Sequence, residues 1–144
     1  MNPIKFAVAA VFFNAVCSTS VIAKKIDFLI DGVKAGDGKI YVQLFKGKTN
    51  YESGNAEAAT VVSALDGKAT VSFHNLDTGE YALRYFHDEN NNGEMETNLL
   101  GMPTEGYGFS NSAKPNFGPV SYEEIMFELD ESQTSVSNSS SVIY

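Results

Sequence analysis

The stretch Asp66-Gly67-Lys68-Ala69-Thr70-Val71-Ser72-Phe73-His74-Asn75-Leu76-Asp77-Thr78-Gly79-Glu80-Tyr81-Ala82-Leu83-Arg84-Tyr85-Phe86-His87 holds two runs of alternating side chains separated by turn residues. Asp66-Gly67 suits the left-handed backbone pair of a tight hairpin. Beyond it, Lys68 to Phe73 puts Ala69, Val71 and Phe73 on one face. Asn75 to Gly79 is a second turn, and the run Glu80 to His87 then brings Tyr81, Leu83 and Tyr85 to one face. A side-chain period of two belongs to a pleated strand and not to a helix.

The same period continues outward in both directions. Upstream, Ile26 to Val33 reads as a strand ended by Lys34-Ala35-Gly36-Asp37-Gly38. Ile40 to Phe45 follows, with Ile40, Val42 and Leu44 on one side. Lys46 to Ala58 is polar, a loop or a short irregular helix, and Ala59 to Leu65 is a third strand. Downstream, Gly101 to Pro119 carries four glycines, three prolines and the aromatics Tyr107, Phe109 and Phe117. Structureless loops beyond roughly 12–15 residues are uncommon inside a domain, so this segment is expected to fold back over the strands. Its glycines are expected to supply unusual backbone angles. Ser121 to Leu129 reads as the last strand, with Ile125, Phe127 and Leu129 inward and Met126 and Glu128 outward. Residues 132–144 read as a flexible, serine-rich polar tail. No long amphipathic helix is visible. Closely spaced strands with turns between them predict an all-β fold, a single antiparallel β-sandwich over residues 24–131.

Leu76-Asp77-Thr78-Gly79-Glu80-Tyr81-Ala82-Leu83 resembles the corner that precedes a central strand in immunoglobulin-like and transthyretin-like sandwiches. The resemblance implies that the Tyr81 hydroxyl bonds nearby backbone.

The N-terminus reads as a signal peptide over residues 1–23. Lys5 is the basic n-region, Phe6 to Val16 is apolar apart from Asn14, and Val21-Ile22-Ala23 offers a cleavage site after Ala23. The apolar run falls short of the about 20 residues that cross a bilayer, so no transmembrane segment is expected after signal removal. Cleavage also removes the only cysteine, Cys17, and makes the net charge of −8 one unit more negative. An exported chain without cysteine fits the bacterial periplasm or the extracellular space. From Phe86 onward there are ten acids and one base, Lys114. Such a charge repels phosphate backbones, so nucleic acid is not an expected partner; it draws cations instead.

The acidic stretch His87-Asp88-Glu89-Asn90-Asn91-Asn92-Gly93-Glu94-Met95-Glu96 places oxygen-bearing side chains at alternate positions around a glycine. That spacing suits a hard cation such as Ca²⁺, with the side chains of Asp88, Asn90, Asn92 and Glu96 and the backbone carbonyl of Glu94 as candidate ligands and Glu105 as a remote one. The twelfth position of a helix-flanked calcium loop is occupied by Leu99, and a strand precedes the loop, so this is not an EF-hand. With two asparagines among the ligands, a Kd on the order of 10⁻⁴ to 10⁻³ M is expected. The alternative is a plain turn, because Asn92-Gly93 and its neighbours favour turns without any ion.

Other constellations are thinner. His74 and His87 on neighbouring strands would suit Zn²⁺ only with further ligands. Ser110, His87 and Asp88 can be assembled into a triad, but no glycine-flanked serine motif supports it. Glu105 and Glu123 are a candidate carboxylate pair. Tyr107 and Phe109, with Glu105, are candidate ligand-binding residues, either stacking on a sugar or peptide or pinning the loop to the core.

Tyr81-Ala82-Leu83, Phe86-His87-Asp88-Glu89-Asn90, Asn92-Gly93, Thr97-Asn98, Gly101-Met102-Pro103, Glu105-Gly106-Tyr107-Gly108-Phe109-Ser110-Asn111 and Phe117-Gly118-Pro119 resemble the signature of the bacterial exported domain-of-unknown-function family DUF2141. Glu96 stands where that family more often has aspartate. The resemblance implies export and a sandwich fold, and it carries no activity. No equivalent of the histidine-rich site of the hydroxyisourate hydrolases, which share the transthyretin architecture, is present.

The reading of the sequence is therefore an exported, non-enzymatic β-sandwich, a binding or structural module with a candidate calcium loop and no other cofactor. The partner would be a protein, a peptide or a glycan. Two alternatives remain: a carbohydrate- or peptide-binding module using the aromatic segment 101–119, which needs Tyr107 or Phe109 at the rim of a groove, and a hydrolase centred on His87, which needs that imidazole open to solvent.

Overall fold

The structure, a computed structural model, describes residues 22–36 and 38–144. The signal-peptide expectation falls on residues 1–21 and lies outside the described residues, apart from Ile22 and Ala23.

Eight strands form two sheets. They are β1 (Lys24–Asp31), β2 (Lys39–Lys46), β3 (Ala58–Val62), β4 (Ala69–Leu76), β5 (Gly79–Asp88), β6 (Gly106–Phe109), β7 (Phe127–Leu129) and β8 (Ser135–Ser141). Among the described residues two short α-helices, α1 (Lys48–Ser53) and α2 (Tyr122–Ile125), and one 3-10 turn (Ser110–Ser112) interrupt them. One sheet has the order β4-β1-β8. The other has the order β3-β2-β5-β6, with β7 also paired to β5. This is an all-β sandwich.

The alternation read from the sequence sets the core. Ile26, Phe28 and Ile30 of β1 and Ala69, Val71 and Phe73 of β4 face Ile40, Val42 and Leu44 of β2 and Tyr81, Leu83 and Tyr85 of β5. All are buried. The connection between β3 and β4 turns at Asp66 (φ 51°) and Gly67 (φ 74°), two successive left-handed residues as in a type I′ turn, closed by the Leu65–Lys68 bridge; the strands it joins lie in different sheets, so the expected hairpin is instead a crossing from one sheet to the other. The Tyr81 hydroxyl donates to the Asp77 carbonyl at 2.8 Å, closing the corner ahead of β5.

Three expectations are corrected. Ser121 to Leu129 is not one strand. Ser121 starts α2 in a capping box with Glu124, and only Phe127–Leu129 is extended. Ser-x-x-Glu is a helix-start signal that outweighs the alternation after it. Ile125 accordingly packs in a second cluster with Ala82 and Tyr122, outside the main core. The polar tail is not free: β8 pairs with β1 along Lys25–Asp31, and in parallel, so the sheets are not wholly antiparallel. Serine is a poor strand former by propensity, but β1 offers an unfilled edge, and Ser140 reaches inward to bond the Tyr85 hydroxyl at 3.0 Å. The sandwich thus runs to the C-terminal residues and does not stop at 131. The glycines of the aromatic segment mostly serve another purpose: Gly101 has a left-handed φ of 76°, whereas Gly106 and Gly108 stand in β6 without one.

β5 is the central strand of its sheet. One edge pairs with β2 over Lys39–Lys46. The other edge is shared: β7 takes Gly79–Tyr81, the Ser110 hydroxyl accepts the Leu83 amide at 3.0 Å, and β6 takes Arg84–His87. Ser110 is fully buried and also donates to the Ile125 carbonyl, so one hydroxyl joins β5 to α2.

The two core tyrosines make alkaline pH a probe of the fold. Burial pushes Tyr85 up to about 12, against the pull of its bond to Ser140. Burial also raises Tyr81 to about 12, helped by Glu57 and Asp77. In the unfolded chain a tyrosine ionises near pH 10. Below that pH both states are protonated and the contribution of these residues to stability is complete. It is lost as pH rises from about 10 to about 12, because only the unfolded chain then releases the proton readily. We expect alkaline unfolding in that window, with phenolate absorbance of two tyrosines appearing together with the loss of β-sheet circular dichroism. Tyr81→Phe should remove one of the two and cost about 1–2 kcal/mol through the abandoned Asp77 carbonyl. Ionisation of all seven tyrosines ahead of unfolding would contradict the burial.

A candidate binding face on the five-stranded sheet

Because Ile40, Val42 and Leu44 point into the core, Tyr41 and Gln43 point out. By the same alternation Arg84 and Phe86 leave β5 on its outer side. The register sets these side chains in rows across the sheet. Val61, Tyr41, Phe86 and Tyr107 are successive cross-strand partners, and Ala59, Gln43, Arg84 and Phe109 form the next row. Tyr41 and Phe86 stack nearly parallel, with centroids 5.0 Å apart and planes at 8°. Tyr107 and Phe109 meet edge to face at 6.0 Å and 82°. A solvated sheet face ordinarily carries polar side chains; this one is paved with rings.

The rows floor a groove of about 690 Å³, within the usual range of ligand pockets. Tyr51 of α1 contributes to it, as do Gly93 and Met95 from the acidic loop. Arg84 lies on the floor. Its Nε donates to Gln43 Oε1 at 2.9 Å, and its guanidinium lies over the faces of Phe45 (4.8 Å) and Tyr51 (5.8 Å).

The acidic loop is an ordered wall. Asp88 is fully buried, and its carboxylate accepts the amides of Asn92 (3.1 Å) and Gly93 (2.8 Å). Asn90 Oδ1 also accepts the Asn92 amide, and Asn92 Oδ1 accepts the amide of Glu94. The Asn92 side-chain amide donates to Glu96. Glu105, read as a remote ligand, instead sits buried under the loop and accepts the amides of Glu89 (3.0 Å) and Glu96 (3.2 Å), clamping its two ends. The side-chain oxygens expected to face an ion are thus engaged with the loop's own N–H groups. The described residues contain no group of three or more His, Cys, Asp or Glu side chains able to hold a metal.

The other constellations come apart. His74 lies exposed on β4 and His87 lies buried on β5, in different sheets, so they do not face each other as neighbours. His87 is 3% exposed and its Nδ1 shares a hydrogen bond with the Tyr144 hydroxyl at 2.9 Å. A hydrolase centred there lacks the open imidazole it requires. Ser110 is occupied by backbone partners on β5 and α2 and has no bond to His87. Glu123 is exposed and pairs with Lys48 at 2.7 Å, remote from any bond to Glu105. That pairing, through its hydrogen bond, holds the Glu123 carboxyl below the usual range.

Of the residues expected to touch a ligand, Tyr107 and Phe109 line the groove, half-buried, and Glu105 does not. Phe117 is fully exposed and away from it. Tyr41, Gln43, Arg84 and Phe86 were not expected. For Tyr41 and Phe86 a signal was present: the outward positions of two strands whose inward faces were already assigned carry aromatic residues where polar ones are the rule, whereas Gln43 and Arg84 follow the rule and carry no such signal.

The family described as "Uncharacterized protein conserved in bacteria (DUF2141)" matches residues 29–137. The chain belongs to that family. The matched span takes in the five-stranded sheet, the acidic loop and β4 whole, with parts of β1 and β8. Comparison with curated proteins and with solved structures returned no match. No helix among the described residues is long and apolar enough to cross a membrane.

Proposed function

We propose that this DUF2141 member is an exported, non-catalytic binding module that takes a glycan across the outer face of its five-stranded sheet. The carrying observation is the ring pavement of Tyr41, Phe86, Tyr107 and Phe109. The face of an aromatic ring is negative, and the axial C–H bonds of a pyranose present partial positive charge to it. A peptide is less suited to this surface. Extended peptides bind by adding to a free sheet edge, whereas the groove lies on a face whose backbone groups are already paired between strands. Export rests on the leader pattern of residues 1–23, and the non-catalytic reading on the burial of His87 and Ser110 in hydrogen bonds to Tyr144 and the Ile125 carbonyl.

The acidic loop serves this reading as a wall, with Gly93 against the Tyr41 hydroxyl. Titration with a panel of oligosaccharides, followed by backbone amide shifts, tests it. Shifts should concentrate on β2, β5 and β6 around the two rows. Tyr41→Ala and Tyr107→Ala should each weaken binding by about tenfold or more, the usual scale for removing a buried aromatic anchor. Shifts confined to the three-stranded sheet, or no binding by any sugar, would remove the proposal.

A further inference from the structure

We infer that the groove selects a sugar bearing a carboxylate, and that Arg84 is the residue that reads it; this rests on the glycan reading above. Arg84 is the only arginine of the chain. It lies in a protein with 18 acidic and 10 basic residues, yet it has no acidic partner among the described residues. The ion pairs among the described residues join lysines or His87 to carboxylates, as in Lys25–Asp27, Lys34–Glu89, Lys46–Asp77 and Lys48–Glu123. None uses Arg84. No aspartate or glutamate lines the groove either.

The guanidinium is held in place without being neutralised. Gln43 takes its Nε, and Phe45 and Tyr51 lie under its plane. Its terminal nitrogens have no hydrogen-bond partner among the described residues. A half-buried, oriented fork of N–H donors beside apolar rings matches the two oxygens of a carboxylate in bidentate fashion. An unpaired cation in such a place is costly to desolvate unless an anion arrives with the ligand. The surrounding rings supply the apolar contact, so the ligand that satisfies both features is a pyranose with a ring carboxylate, a uronate.

The loop beside the groove sharpens the choice. It carries Asp88, Glu89, Glu94, Glu96 and Glu105 and no base. A densely charged anion would be repelled along this wall; a single carboxylate delivered onto Arg84, with the rest of the sugar neutral, is accommodated.

The test uses the protein with three probes: a trisaccharide with one galacturonate residue between two neutral galactoses, its methyl ester and the corresponding neutral galactose trisaccharide. Calorimetry should give about ten- to a hundredfold tighter binding of the acid than of its ester, the scale of a hydrogen-bonded charge pair. Added salt should weaken the acid and leave the ester almost unmoved. Arg84→Gln should bring acid and ester within about twofold of each other. Arg84→Lys, which keeps the charge and loses the fork, should retain only part of the preference. Melting temperatures of both variants establish that they fold, and Gln43→Ala, which frees the Nε and leaves Arg84 itself, gives a second variant expected to reduce the preference. Equal binding of acid and ester by the unaltered protein overturns the inference and leaves the glycan reading standing. So does a preference that survives Arg84→Gln. Binding of none of the three probes, with unshifted amides across β2, β5 and β6, overturns this inference together with the reading beneath it.

Discussion

Gly108→Ala is expected to lower the melting temperature by more than about 10 °C, a loss of about 3 kcal/mol for a domain of this size. A Cβ at Gly108 would collide with the hydroxyl oxygen and Cζ of Tyr85. Those atoms cannot retreat easily. Tyr85 is buried, pairs with Gly108 across β5 and β6, bonds Ser140 and meets the edge of Phe28 at 6.0 Å. Moving the ring would therefore disturb both sheets at once, since Ser140 belongs to β8 and Phe28 to β1. Close-packed interiors transmit such displacements and do not absorb them. The matched control is Gly118→Ala: a Cβ there meets nothing within 4 Å, so the change should stay within about 0.5 kcal/mol. In a Tyr85→Ala background the Gly108 substitution should become nearly harmless, because the obstructing ring is gone. A melting temperature for Gly108→Ala within about 2 °C of the unaltered protein would show that the ring yields, and the packing account would fail.

This contact also marks where the sequence stops being readable. Alternation is a local property, and it located the inward faces of β2, β4 and β5, the bounds of β2 and β5 within a residue, and β4 three residues short at Phe73. The Tyr81 corner was legible because it joins residues four apart. Gly106 and Gly108 were not, because what excludes a side chain at Gly108 is a ring 23 positions away, and near Gly106 it is Val142 and Tyr144 of a tail with no apolar pattern. β8 was missed for the same reason. Its place is decided by the free edge of β1, and the Ser-Asn-Ser run says nothing of that edge. The candidate site failed and succeeded along the same division. Tyr107 and Phe109 could be named from composition alone. Arg84 and Tyr41 needed the register between β2, β5 and β6, which turns four separate outward positions into one surface. At Asp88 the sequence left two readings side by side, an ion ligand and a plain turn, because alternating oxygens suit a cation and suit successive amides of a tight turn equally well; here its carboxylate accepts the amides of Asn92 and Gly93.

Asp88→Ala is the second substitution expected to be severe, at about 3 kcal/mol. The carboxylate is fully buried and holds the amides of Asn92 and Gly93. Hydrogen bonds to a charged group are worth about 1.5–3 kcal/mol each, and truncation leaves both donors short of an acceptor and opens a void at the end of β5. Asp88→Asn should cost about half as much: one oxygen still accepts, while the new NH₂ group faces an N–H. The damage should be local in its first stage, because Glu105 grips the loop independently through Glu89 and Glu96. Hydrogen exchange separates the stages. In Asp88→Ala the amides of Asn92 and Gly93 should lose protection by orders of magnitude under conditions where the β2–β5 amides keep theirs, since opening of the loop requires less free energy than opening of the sheet. Adding Glu105→Ala should then release both ends and cost more than the sum of the single changes, as expected of neighbours sharing one structure. Since Gly93 and Met95 wall the groove, the same loosening should weaken ligand binding in Asp88→Ala even though Asp88 itself touches no ligand. Unchanged protection at Asn92 and Gly93 in Asp88→Ala would mean that the turn stands on its own backbone, and the carboxylate would lose its role as the brace between the strand and the binding face.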